Sequence, residues 1–237
     1  RTLRADAVER VVWKDIPQAF SVDNPMAMER LLYTLAGQVG GLMSPDSICQ
    51  TVRDITTSTF DRYVKYLELA YMIFTVQNFS PREESRQRRG RKVYFVDVAV
   101  RNAALQRGVA PLVDPTELGL MYENVAASHL HALVLRGEGR LFYWRDGRRE
   151  VDFIHDHPEQ PLAIEIGSSS RHSRDGLIAF AQHDQRARGR CYVASPGSPA
   201  PTAPNAASGQ IGEVALEYLL IAAGLHAEAA QFRRIGG

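Results

Sequence analysis

Apolar residues recur at three- and four-residue spacing through the first third of the chain, then give way to short β-rich runs. Val8, Val11, Val12 and Ile16 lie at helical spacing, so residues 1–22 read as a lead-in helix with no partner in the later sequence. From Asp23 the pattern sharpens. Asn24 can cap a helix, Pro25 suits its first turn, and Met28, Leu31, Leu32 and Leu35 form a stripe ending near Gly37 and Gly40. A second start follows at Ser44-Pro45, with Ile48 and Val52 inward. A third helix runs through Phe60, Val64, Leu67, Leu69 and Tyr71, with Thr57 as its cap and Thr59, Arg62 and Lys65 on the opposite side.

Two β-rich runs come next, Met72 to Val76 and Val93 to Asp97, joined by a stretch holding Arg82, Arg86, Arg88, Arg89, Arg91 and Lys92. Three short helices followed by a hairpin with a basic tip make the winged-helix layout, assigned to residues 23–108. Such a module would offer Thr59, Arg62 and Lys65 to a DNA major groove, and Arg86, Arg88, Arg89 and Arg91 to phosphates or a minor groove. The plainer alternatives are a solvated charged loop and a winged helix that contacts protein.

The second half, residues 109–237, alternates differently. A helix from about Glu117 to Leu135 carries Leu120, Met121, Val125, Leu130 and Val134. Strands follow over Arg140 to Arg145, Glu150 to His155 and Leu162 to Ile166, with a turn at Asp146-Gly147. A helix over Asp175 to about Gln185 leads into a buried strand, Arg190 to Ala194. The order helix, three strands, helix, strand makes an α/β sandwich. Ser195 to Ser208 hold four prolines and read as a flexible loop, and a final helix carries Ile211, Val214, Tyr218, Leu219 and Ala222 to Gly224.

Composition narrows the compartment more than the chemistry. With 45% hydrophobic and 23% charged residues the chain is globular material, and its net charge of +1 hides the local basic cluster. Cys49 and Cys191 stand far apart outside any Cys-x-x-Cys pair, which points to a reducing cytoplasm rather than a disulfide framework. No apolar run reaches the roughly 20 residues that span a bilayer. The chain opens on Arg1, which reads as a piece of something longer, and self-association is left open.

The candidate chemistry lies in two strands. Strict alternation would put Val151 and Phe153 on one face and Glu150, Asp152 and Ile154 on the other; in the next strand Ala163, Glu165 and position 167 would oppose Leu162, Ile164 and Ile166. If the strands pair, Asp152 and Glu165 can share a face and chelate Mg²⁺ or Mn²⁺, with Glu123 reaching from the preceding helix. Such an ion would activate water and stabilise phosphoryl charge. A lysine two residues after Glu165 would orient that water, yet the residue there is Gly167.

The stretches YVKYLELAYMIFTVQNF (63–79), KVYFVD (92–97), YENV (122–125), FYWR (142–145), EVDFI (150–154), IEIGSS (164–169) and GLIAF (176–180) carry a resemblance over nearly the whole chain. It resembles the C-terminal portion of a family of prokaryotic AAA-type ATPases, in which a P-loop domain precedes a winged helix and a domain similar to PD-(D/E)xK nucleases. The resemblance implies an α/β fold: an N-terminal winged helix-turn-helix, then a restriction-endonuclease-like domain with a mixed sheet flanked by helices. It implies Glu123, Asp152 and Glu165 as the acids of the nuclease core, and an upstream ATPase domain as a partner. Family members read IEVKSS where this chain reads IEIGSS, so the lysine's role has no occupant, and no Gly-Lys dipeptide marks a P-loop. The expected function is a nucleic-acid or partner-binding module with an inactive nuclease-like domain. The alternative is an active Mg²⁺-dependent DNA nuclease using Asp152 and Glu165, with Arg171, His172 or Arg174 standing in for the lysine. In the inactive reading the acids are inherited ion-pair residues, with Arg145 or Arg171 as partners.

Weaker signals are His155-x-His157 and His129-x-His131, whose spacings a transition metal could use, and Ser168 to Ser170 beside His172, which read as a polar strand exit. Tyr143 and Trp144 could stack on bases but in a strand belong to a core.

Overall fold

In the computed structural model the described residues are 3–80, 90–158, 161–167, 174–197 and 201–235, the last six by backbone alone. The chain is an α/β protein whose strands follow the order β2-β1-β3-β4-β5-β6-β7 in a mixed sheet. It divides into two compact units, residues 1–76 with 90–124 and residues 77–89 with 125–237.

The first unit opens on π-helical turns at Arg4–Glu9 and Val11–Asp15 that run into α1 (Ile16–Ala19). Val8, Val12 and Ile16 are buried, and this segment packs on α2 (Pro25–Gly37) and α5 (Val98–Ala104). The expectation of a helix without a partner is therefore corrected: its stripe is covered inside the unit. Asn24 caps α2 by accepting from the Ala27 N–H at 3.0 Å. Ser44 caps α3 (Pro45–Val52) in the same way. On α4 (Thr57–Leu69) the cap is Thr56, one residue earlier than expected, with its Oγ1 3.2 Å from the Thr59 N–H. Phe60, Val64 and Leu67 are buried as the stripe requires, whereas Leu69 and Tyr71 are exposed because the helix ends at Leu69 and Tyr71 turns out with φ near +55°.

β1 (Ile73–Asn78) and β2 (Arg91–Phe95) flank residues 81–89, which lie outside the described residues together with Arg82, Arg86, Arg88 and Arg89. Helix α5 was not anticipated. Asp97 caps it, and the buried Arg101 guanidinium it carries donates to the Ala36 carbonyl (3.0 Å) and to Glu117 (2.7 Å). A buried guanidinium is tolerated when its donors meet acceptors and a counter-charge, as they do here.

The second unit is built on β3 (Arg140–Asp146), β4 (Arg149–Asp156), β5 (Leu162–Ile166) and β6 (Cys191–Ser195). Helix α6 (Pro115–Leu135) precedes them and contributes its second half to this unit. β3, β4 and β5 form an antiparallel meander, and α7 (Asp175–His183) returns the chain so that β6 runs parallel to β5. One face of this sheet is an apolar cluster in which Phe142, Trp144, Ile154, Ala163 and Cys191 pack under Leu177 and Phe180 of α7. Phe79 meets Phe142 and Phe180 edge to face, at centroid distances of 5.8 and 5.4 Å. Tyr143 and Trp144 are both buried, so neither is available to stack on a base.

The last segment departs most from expectation. Gly212–Ala215 form β7, parallel to β6, and α8 (Leu216–Ile235) runs through Gly224 rather than ending there. Ile211 and Val214 stand three apart, a spacing that fits one helical face, but Gly212 to Ala215 instead complete their hydrogen bonds on the open edge of β6. The preceding proline-rich stretch, expected to be a flexible loop, forms bridges from Thr202 to Glu213 and from Asn205 to Gln210. Among the described residues no helix is long and apolar enough to cross a membrane.

Candidate functional site

Strict alternation on β4 is overturned by an irregularity. Phe142 pairs with Ile154 and Trp144 with Val151, so three steps of β4 span two of β3, and Val151 and Ile154 face the same core. Asp152 sits inside this bulge. Its carboxylate is placed by a hydrogen bond: Oδ2 accepts from the Ile166 N–H of β5 at 2.9 Å. That bond sets the Asp152 carboxylate beside the peptide joining Glu165 to Ile166, so the two acids are neighbours across β4 and β5. Both are half-buried, and Oε2 of Glu165 is shut off from solvent.

Gly167 follows directly. It is buried, and its N–H donates to the Ala194 carbonyl of β6 at 2.8 Å, which extends the parallel ladder past Ile166. The backbone at this position, just past the end of β5, is thus tied to β6, with no side chain to carry a charge toward the acids. Of the stand-ins, Arg171 and His172 lie outside the described residues, as do Ser168 to Ser170, and Arg174 pairs with Glu213 of β7. Arg145 pairs with Glu150 at 3.7 Å. Two carboxylates are hard oxygen donors of the kind Mg²⁺ and Mn²⁺ accept. They are also a thin set: among the described residues no group of three or more His, Cys, Asp or Glu is placed to hold an ion.

Glu123 belongs to the first unit, whereas Asp152 and Glu165 belong to the second. Its Oε1 accepts from the Tyr94 hydroxyl at 2.7 Å and lies 3.5 Å from Lys92 Nζ. Lys92 is almost fully buried, so this carboxylate is the counter-charge that lets an ammonium sit inside the unit. A Cβ at Gly40 would come within 3.0 Å of the same Oε1, which is why the chain passes here as glycine with φ near +73°. Lys92 and Tyr94 are two apart on β2 and so share a face, a signal that was present in the sequence and not used. Beside them Asn124 holds the Phe95 backbone through two bonds, at 2.8 and 2.9 Å.

The residues expected to meet DNA are partly engaged within their own unit. Arg62 pairs with Asp23 at 2.6 Å, and Lys65 lies 3.7 Å from Glu68. Arg91 pairs with Asp61, and its guanidinium lies over the Phe60 ring. Thr59 is half-buried, with its backbone N–H in the α4 cap. Arg62 and Lys65 are exposed on α4, where such surface pairs exchange readily.

His155 is buried, with Nε2 2.7 Å from the Glu138 carbonyl, and its ring stacks on that of His157 at 6.5 Å. Burial holds its pKa below the ordinary imidazole value, with His157 and His226 adding to the effect. His129 engages the Val125 carbonyl of its own helix, so it does not aim at His131.

Two family profiles match the chain. One, a domain of unknown function (DUF8612), covers residues 1–110, and the other, a domain of unknown function (DUF4143), covers residues 118–202. An uncharacterized protein of Haemophilus influenzae is 21% identical over 184 residues, which is 75% of this chain and 44% of that protein. The chain therefore spans less than half the length of that relative. No solved structure matches the chain. The chain is thus similar to two families of unknown function.

Proposed function

We propose that this chain is the DNA-binding, noncatalytic end of an AAA-type ATPase: a winged helix followed by a PD-(D/E)xK-like domain that has lost its chemistry. Support for the fold comes from the element order. After the lead-in segment, α2, α3 and α4 precede β1 and β2, and the helix, three-strand meander, helix and parallel strand of the second unit follow the order of the nuclease core. The match to DUF4143 falls on that second part. Gly167 is the observation that carries the functional reading. Asp152 and Glu165 stand together, while the position that would supply a cation to offset their charge and orient water is a buried glycine in the ladder.

Mg²⁺ or Mn²⁺ at Asp152 and Glu165 would supply Lewis acidity and an activated water. The described residues do not complete that chemistry. Binding instead rests on the winged helix, with Thr59, Arg62 and Lys65 of α4 and the arginines leading to Arg91 as the electrostatic face. Fluorescence anisotropy with duplex DNA over a series of salt concentrations tests this. Replacing Arg86, Arg88 and Arg89 by alanine should weaken binding and lower the salt slope by about 2 to 3, close to one unit for each phosphate no longer neutralised. An unchanged affinity and slope in the triple variant would remove the wing from the interface.

A further inference from the structure

A second site is formed within the second unit by parts that the nuclease resemblance does not use. Leu130 and Leu133 of α6, Leu162 of β5 and Leu219, Ala222 and Ala223 of α8 line a cavity of about 460 Å³. Its polar end holds Glu138, His155, His157 and His226. The volume lies within the roughly 300–1,000 Å³ of small-molecule sites, which typically combine apolar walls with a few converging polar groups.

The polar end has a definite hydrogen-bond character. A carbonyl only accepts, so the 2.7 Å contact between His155 Nε2 and the Glu138 carbonyl requires that Nε2 carry the proton. Burial keeps the ring neutral, and in that tautomer Nδ1 is an acceptor. The Glu138 carboxylate is half-buried and adds a negative charge, with His226 Nε2 3.4 Å from its Oε2. The backbone there is cut to fit: a Cβ at Gly139 would approach His155 Nε2 to 3.0 Å and the Asp156 carbonyl to 2.9 Å, at a φ near +72°. Among the described residues no three of these side chains are placed to hold a metal, so the imidazoles are not a ligand set.

We propose that this cavity binds a small organic amine, whose apolar body lies among the leucines and alanines and whose ammonium group meets the acceptors at Glu138 and His155. A carboxylate of the same size would meet the Glu138 charge instead, and a neutral alcohol could donate a hydrogen bond without the attraction between opposite charges. The site is independent of Asp152 and Glu165.

Isothermal titration calorimetry with hexylamine, hexanol and hexanoate near neutral pH compares three headgroups on one tail. Hexylamine should bind about tenfold tighter than hexanoate or more, with hexanol between them. Leu133→Trp, which fills the cavity, should abolish saturable binding, and Ala222→Leu should weaken it if the tryptophan variant does not fold. Glu138→Gln should remove most of the advantage of hexylamine over hexanol. Hexanoate binding as tightly as hexylamine, no saturable binding of hexylamine, or hexylamine binding untouched by a folded cavity-filling variant would each overturn the assignment.

Discussion

Both ends of the Asn124 amide are taken by one backbone residue: the Phe95 N–H donates to Oδ1, and Nδ2 donates to the Phe95 carbonyl. Asn124 is 1% exposed, so bulk water does not compete for either bond. Asn124→Ala should destabilise the protein by roughly 1–3 kcal/mol for each backbone group stranded, measured by urea unfolding. A loss within experimental error would show that the β2 edge relaxes to find other partners. The neighbouring Glu123 was legible as an acid on a helix, but its contacts were not, because they depend on Lys92 and Tyr94 arriving from a strand 29 residues earlier in the case of Tyr94. His155 gives a residue-level pH effect. Its folded pKa is depressed by burial, so the stability conferred by the neutral ring is present in full above about pH 6.5 and is lost as the pH falls toward the folded value. Thermal melts across the acid range should show that limb flattened in His155→Gln; the same limb in both proteins would exclude His155 as its source.

At the scale of elements, Gly176 fixes how closely α7 approaches β4. A Cβ there would sit 1.9 Å from the Glu150 carbonyl oxygen, so any side chain forces helix and strand apart. Gly176→Ala should cost about 1–3 kcal/mol in denaturant unfolding, as overpacking does. Gly37→Ala, where nothing lies within 4 Å, serves as the control and should be close to neutral. Elements with their own start signals were legible from the chain: Asn24 with Pro25 and Ser44 with Pro45 mark α2 and α3. Elements decided by a distant neighbour were not. β7 is four residues long and exists because β6 offers an open edge, and the β4 bulge appears only where β4 must pair with β3 and β5 at once. The register of β4 on β5 follows from the apolar pattern, whereas the placement of Asp152 follows from its bond to Ile166.

For the whole molecule, Asp152 and Glu165 were legible as acids in strands, and Gly167 as the residue that follows them. What alternation could not give was their placement, since a single inserted residue reverses the facing of everything beyond it. Glu123, Asp152 and Glu165 now divide into a half-buried counter-charge for the buried Lys92 in one unit and a neighbouring pair in the other. The claim that this part holds DNA without cutting it is tested most directly by incubating the chain with plasmid and single-stranded DNA in Mg²⁺ or Mn²⁺, beside Asp152→Ala. The account predicts intact DNA in every lane; cleavage by the unaltered chain that disappears in Asp152→Ala would contradict it.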